Sequence, residues 1–227
     1  MKKIFFNKLL LIIEILITLP FMYYAYQKIE IMHKGGIIMI PLTYVLFFII
    51  IIIIERALFL KKIICNSYTV IRNADSLISE NKINDVSELC EKFPCPVSSI
   101  VKIAVNYKDK DEAKIKEMIE ELGYFEVHQL TTNLDYMSLL AKIAPLLGLL
   151  GTVTGLLQAF NDMLKLSGNI SATVFAGGIS QALLTTIYGL TIAIPTLVAH
   201  QYFMVRCKNI IRQMEKTASM IVLKLKN

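Results

Sequence analysis

The sequence predicts an all-α integral membrane protein, with three to four transmembrane helices and long helices that extend into a cytoplasmic helical region. Three observations predict it. Of the 227 residues, 55% are hydrophobic and only 19% charged. The apolar residues are collected into runs of about 20, enough helix to cross the roughly 30 Å hydrocarbon layer. The basic residues flank those runs, as the positive-inside rule expects of cytoplasmic ends. Lipid offers the backbone no hydrogen bonds, and a helix satisfies its own, so the runs read as helices.

Residues 1–34 carry the first apolar stretch, 4–26, interrupted by Glu14 and Pro20 and preceded by Lys2 and Lys3. Leading lysines also suit a signal peptide, but the run is long and no clear small-residue cleavage site follows. An uncleaved anchor or a membrane-surface helix is expected. Glu14 is a functional candidate only if it lies within the membrane; a place near the interface, or removal with a leader, is the preferred reading.

Residues 35–56 form the next element. From Ile37 to Ile54 the only ionisable side chain is Tyr44, and Glu55-Arg56 end the run. Residues 57–142 are different in kind. From Glu55 to Lys142 there are 12 basic and 14 acidic side chains, the balance of a water-exposed segment. Ile115, Met118, Ile119, Leu122, Phe125, Leu130, Leu134 and Met137 recur at three- to five-residue steps, which predicts a helix with one apolar face. Pro94 and Pro96 break the segment into at least two helical parts.

Residues 143–165 make a transmembrane helix, with no ionisable side chain from Ile143 to Asn161. Ser167-Gly168-Asn169 signals a turn. Residues 166–205 return through the membrane and extend to the cytoplasm, because a helix from Ser171 to Tyr202 is about 48 Å long, more than one bilayer. Residues 206–227 are a basic tail, with Arg206, Lys208, Arg212, Lys216, Lys224 and Lys226 against the single acid Glu215. With that tail and segment 57–142 inside, the chain crosses three times, or four if residues 4–26 also span.

Several function classes are excluded. Net charge is +6, but no basic face with interleaved aromatics appears, so nucleic acid is not an expected partner. Cys65, Cys90, Cys95 and Cys207 fall in cytoplasmic segments, where thiols stay reduced. Cys90 and Cys95 have no histidine or second cysteine pair nearby, and His33, His128 and His200 lack ligand spacing, so neither metal nor cofactor is expected. No phosphate loop, HExxH or GxSxG turn is present, and no enzymatic activity is expected.

Two helices carry the chemistry. In IAPLLGLLGTVTGLLQAF, Ala144, Gly148, Gly151, Thr152, Gly155 and Ala159 line one helix face with small residues, which lets helices approach closely in lipid. The second run adds Gly177, Gly178, Ser180, Gln181, Thr185, Thr186, Gly189 and Thr191 at the same depth. Hydroxyls satisfy themselves on the preceding turn. Gln181 does so only in part and implies a polar partner or water. The stripe has no titratable group, so a proton crossing here needs a carrier on another chain. Gln181, Thr185 and Thr186 belong to a polar, wettable stripe of the kind an ion path needs; Gly148, Gly151, Gly155, Gly178 and Gly189 are the expected packing positions. A small autonomous transporter and a membrane scaffold are the competing readings. Neither an internal repeat nor a buried ionisable residue in these two spans favours the transporter.

Taken in order, Gly35-Gly36-Ile-Ile-Met-Ile-Pro41 running to Ile54-Glu55-Arg56, then IAPLLGLLGTVTG and AGGISQALLTTIYGLTIAIP, resemble the ExbB/TolQ/MotA proton-channel family, the ExbB/TolQ branch most. The resemblance covers roughly residues 35–62 and 134–205. It implies a ring-shaped homo-oligomer, a pentamer, in the bacterial inner membrane. It implies further that the ring encloses an ExbD/TolR-like single-span protein whose aspartate carries the proton, and that proton flow does work on a TonB- or TolA-like protein. The family's polar channel residues fall on Thr152, Gln181 and Thr186. Gln181 departs from the pattern, standing where many ExbB proteins have glutamate.

Overall fold

The computed structural model describes residues 32, 34–80, 82–107, 110–165 and 172–226. The first apolar run with Glu14, His33, and the Ser167-Gly168-Asn169 turn fall outside the described residues. Five helices are described: α1 (Met39–Ser79), α2 (Ile83–Lys92), α3 (Pro96–Asn106), α4 (Glu112–Lys165) and α5 (Ala172–Lys226). Among the described residues, three of them, α1, α4 and α5, are long and apolar enough to cross a membrane. Among the described residues the chain is all-helical, and it is a multi-pass membrane protein.

The helix ends follow from local sequence. After Ser79, the Lys82 N–H returns to the Leu77 carbonyl at 3.0 Å, closing the end of α1. The Pro94–Pro96 break falls between α2 and α3. Pro96 occupies the first turn of α3, where its missing N–H has no helical partner to lose. Cys95 caps that helix: its backbone N–H donates to Ser98 Oγ at 2.9 Å, and Ser98 N–H donates to Cys95 Sγ at 3.4 Å. A thiol thus takes the place of the usual capping hydroxyl. Segment 57–142 holds more breaks than its prolines signal, since helix is also interrupted between Ser79 and Ile83 and between Asn106 and Glu112.

The chain divides into two compact units, each with its own core. One comprises Met137–Val198 and the described part of Met1–Ile52; the other comprises Ile53–Tyr136 and Ala199–Asn227.

In the second unit, Arg56, Leu60, Ile63, Ser67, Val70 and Ala74 of α1 are buried at alternating steps of four and three. Phe203, Cys207, Ile210, Met214, Thr217 and Ile221 of α5 follow the same alternation. A 3.5-residue repeat keeps one seam facing a neighbour, as in coiled coils. On α4, Ile115, Ile119, Leu130 and Leu134 are buried on the expected face. Phe125 is a correction: it is 59% exposed, because five residues before Leu130 lies roughly 140° away around a 3.6-residue helix.

In the first unit the α4 face is made of small residues. Ala144, Gly148, Gly151, Gly155 and Ala159 are all buried. From α5, Ala182, Thr185, Gly189, Ile192, Ala193 and Thr196 are buried, and Met39, Leu42, Ile49 and Ile52 of α1 complete the core. Large residues such as Leu149, Val153, Leu157, Ile187 and Ile194 are exposed, the sign of a helix pair made to lie in lipid or against further helices.

Candidate functional site

The site is the α4–α5 seam of the first unit. Its closeness comes from glycine. A Cβ on Gly148 would lie 3.0 Å from the Thr185 carbonyl oxygen and 3.1 Å from Thr186 Cα. One on Gly155 would lie 3.2 Å from both Ala182 Cβ and the Gly178 carbonyl oxygen, and one on Gly189 would lie 2.7 Å from the Ala144 carbonyl oxygen. Gly178 packs on Ala159, and Gly151 on the Thr185 side chain. All five glycines singled out in the sequence therefore stand where backbone meets backbone or a short side chain. Gly177, one residue from Gly178, has no atom near enough to meet a Cβ.

The four polar residues do not share one environment. Thr185 is 0% exposed, and its Oγ1 donates to the Ala182 carbonyl at 2.8 Å, with the Gly148 carbonyl at 3.4 Å. It is enclosed within the seam, where it faces the gap left by Gly151. Further chains can only bury it more. Thr186 is half-buried and donates across the seam to the Gly148 carbonyl at 3.2 Å. Thr152 is half-buried and donates to the Leu149 carbonyl of its own helix at 2.6 Å. Such bonds satisfy a hydroxyl's proton and leave its oxygen able to accept another.

Gln181 lies on the other flank. Five residues before Thr186, it is roughly 140° round the helix, and it faces the start of α1. A side chain on Gly36 would collide with the Gln181 amide. Gly36 also has φ 72°, in the left-handed region that favours glycine. One glycine thus meets two demands, the backbone turn before α1 and room for an amide. Exposed polar side chains of α4 that the sequence did not single out include Thr154 and Gln158.

A second cluster lies in the other unit. Arg56 is 5% exposed, with its guanidinium 4.6 Å from the Phe59 ring centroid. It donates from Nε and Nη2 to Glu55 at 2.6 and 2.9 Å, and from Nη1 to the Leu130 carbonyl at 3.2 Å. Glu55 also accepts from Asn133 at 3.0 Å, and the Cys207 thiol reaches the same Leu130 carbonyl at 3.6 Å. α1, α4 and α5 are joined there. The signal available in the sequence was the adjacent Glu55-Arg56 pair ending an apolar run.

A family model described as the MotA/TolQ/ExbB proton channel family matches residues 95–216. An ExbB-like biopolymer transport protein of Synechocystis is 29% identical over 170 residues, 74% of this chain and 81% of that protein. The biopolymer transport protein exbB1 of Vibrio cholerae is 35% identical over 94 residues, 41% of each chain. An ExbB homologue of Methanothermobacter thermautotrophicus is 27% identical over 189 residues, 82% of this chain and 66% of that protein. The matched region runs from the Cys95 cap through both seam helices and past the Arg56–Leu130–Cys207 junction on α5. By these matches and by its three long apolar helices, the chain belongs to the MotA/TolQ/ExbB proton channel family.

Proposed function

We propose that this chain is the channel-forming stator subunit of a proton-driven motor in a bacterial inner membrane. It acts as a homo-oligomer, a pentamer by family resemblance, around an ExbD/TolR-like single-span partner whose carboxylate carries the proton. The work passes to a TonB- or TolA-like protein, for transport or for envelope maintenance. The C-terminus is cytoplasmic, in keeping with the basic tail after Tyr202.

One observation carries this reading. Thr152 and Thr186 are half-buried in two apolar spans with no carboxylate from Ile143 to Asn161 or from Leu166 to Val205. A polar surface there is costly unless it faces water or a polar guest. A neutral lining can guide a proton but cannot bind and release it, so the titrating acid comes with the guest. Gln181 in place of glutamate fits a ring that leaves this task to its partner. Thr185 holds the seam closed in this scheme and does not meet the ion.

The test is proton uptake into proteoliposomes holding this chain with its single-span partner. Thr152→Val and Thr186→Val are expected to lower partner-dependent flux by about tenfold or more, equal to roughly 1.4 kcal/mol of barrier, with assembly unchanged. Flux at the native level in both variants contradicts the proposal and supports a scaffold whose small faces only pack.

A further inference from the structure

A groove of about 470 Å³ opens between α1 and α5 in the second unit. Leu60 and Phe203 are buried at its floor, and Ala57, Ile64 and Tyr202 are exposed along its walls. Lys61 and Arg206 stand at its edge, both exposed, and none of the residues lining it is acidic. Arg206 is held in place by Tyr202: its Nη2 donates to the Tyr202 hydroxyl at 3.1 Å, and its guanidinium lies 5.1 Å from the ring centroid. The arginine is thus oriented by a neutral group, and its charge is left uncompensated by it.

The position along the helices matters as much as the composition. Ala57 follows Ile54, the end of the apolar run, by about 4.5 Å of helical rise, and Lys61 by about 10 Å. The headgroup layer is about 5–8 Å deep on each side of the hydrocarbon, and a lysine stem reaches back several ångströms to it. On α5, Tyr202 and Phe203 precede Arg206, the first cation after the span. On both helices the apolar lining comes first and the cation after it, leaving the membrane. A tyrosine at this depth is typical of the membrane boundary.

We propose that this groove binds one anionic phospholipid. Its phosphate sits between Lys61 and Arg206, and the upper part of an acyl chain lies on Ala57, Leu60 and Phe203. Basic pockets between transmembrane helices at the headgroup level select anionic lipids in this way. A zwitterionic lipid would fill the apolar walls but bring its own cation to two others. A second copy of this chain would have to cover two cations with no acid offered by the groove. The proposal needs only that the chain lies in a membrane, and it stands or falls independently of the motor reading.

The experiment is native mass spectrometry of the full chain released from micelles containing phosphatidylglycerol, phosphatidylcholine or inorganic phosphate. Phosphatidylglycerol is expected to remain bound in preference to both. Lys61→Gln with Arg206→Gln should weaken its retention about thirtyfold, from about fivefold for each cation near an anionic surface. Ala57→Phe, which fills the wall and keeps both charges, should also lose the lipid, whereas Lys114→Gln should keep it. Cys65 lines the groove and is exposed, while the other three cysteines are buried; bound phosphatidylglycerol should slow its alkylation by a maleimide in nanodiscs. Equal retention of phosphatidylcholine, a signal reproduced by phosphate alone, or undiminished binding in both groove variants overturns the proposal. So does a Cys65 protected equally without anionic lipid, which would mean that a second copy covers the groove.

Discussion

Thr185 stands so close to Gly151 that a Cβ on the glycine would come within 2.5 Å of the Thr185 Cβ. Two spans therefore meet with almost nothing between them, and a threonine hydroxyl is shut inside the contact. In lipid, where apolar tails give helices no hydrophobic reason to associate, this closeness is what supplies dispersion contacts.

Gly151→Ala is accordingly expected to destabilise the seam by about 1–3 kcal/mol, the usual cost of overpacking. Gly177→Ala adds the same methyl group where nothing meets it and should be neutral within about 0.5 kcal/mol. Resistance of the purified protein to denaturation by detergent or heat measures both. Equal losses in the two variants would show that the seam does not hold the helices.

The Arg56 junction predicts an order of effects. Arg56→Lys loses the planar fork that reaches Glu55 and the Leu130 carbonyl together, at a cost of roughly 2–3 kcal/mol. Glu55 has a side chain 42% exposed, so water replaces part of what Glu55→Ala removes, and the cost is nearer 1 kcal/mol. Thermal melting of both variants checks the order. A lysine tolerated better than the loss of the glutamate contradicts the geometry.

Alkaline pH tests the α2–α3 region. Burial, with Cys95 close by, pushes the Cys90 thiol up from 9.0 to about 11. The folded chain therefore keeps this proton through a range in which the unfolded chain loses it. The stability due to it is fully present below about pH 9 and is lost as the pH rises to about 11. Melting temperature should fall across that window, and Cys90→Ala should flatten the fall. Alkylation at pH 8 should modify Cys65 well before Cys90; the reverse order contradicts the placement of the two thiols.

The sequence was most legible where one residue type repeats at one spacing. Charge-free runs marked the spans, and Ala144, Gly148, Gly151, Gly155 and Ala159 marked a face that is buried as a set. Pro94 and Pro96 marked the break before α3. Less legible was anything that depends on the rotation of one helix against another. Thr185 and Thr186 are neighbours in the chain, about 100° apart on the helix, and only the position of α4 decides that the first is enclosed and the second half-exposed. Phe125 was misplaced for a similar reason, because steps of three to five residues admit side chains that drift off the face. The Arg56 junction was not legible at all beyond its Glu55-Arg56 pair, since its acceptor is the backbone carbonyl of Leu130, which no side-chain pattern announces.

In the proposed function, Thr152 and Thr186 border a cavity that holds the partner's acid-bearing helix. A photo-crosslinking residue placed at Thr152 or Thr186 of this chain, expressed with its single-span partner and illuminated in intact membranes, reads this directly. Both positions are expected to capture the partner, while the exposed Leu157 and Ile194 capture lipid or a neighbouring copy. Capture of the partner at none of these positions, or equally at all four, would contradict the proposal.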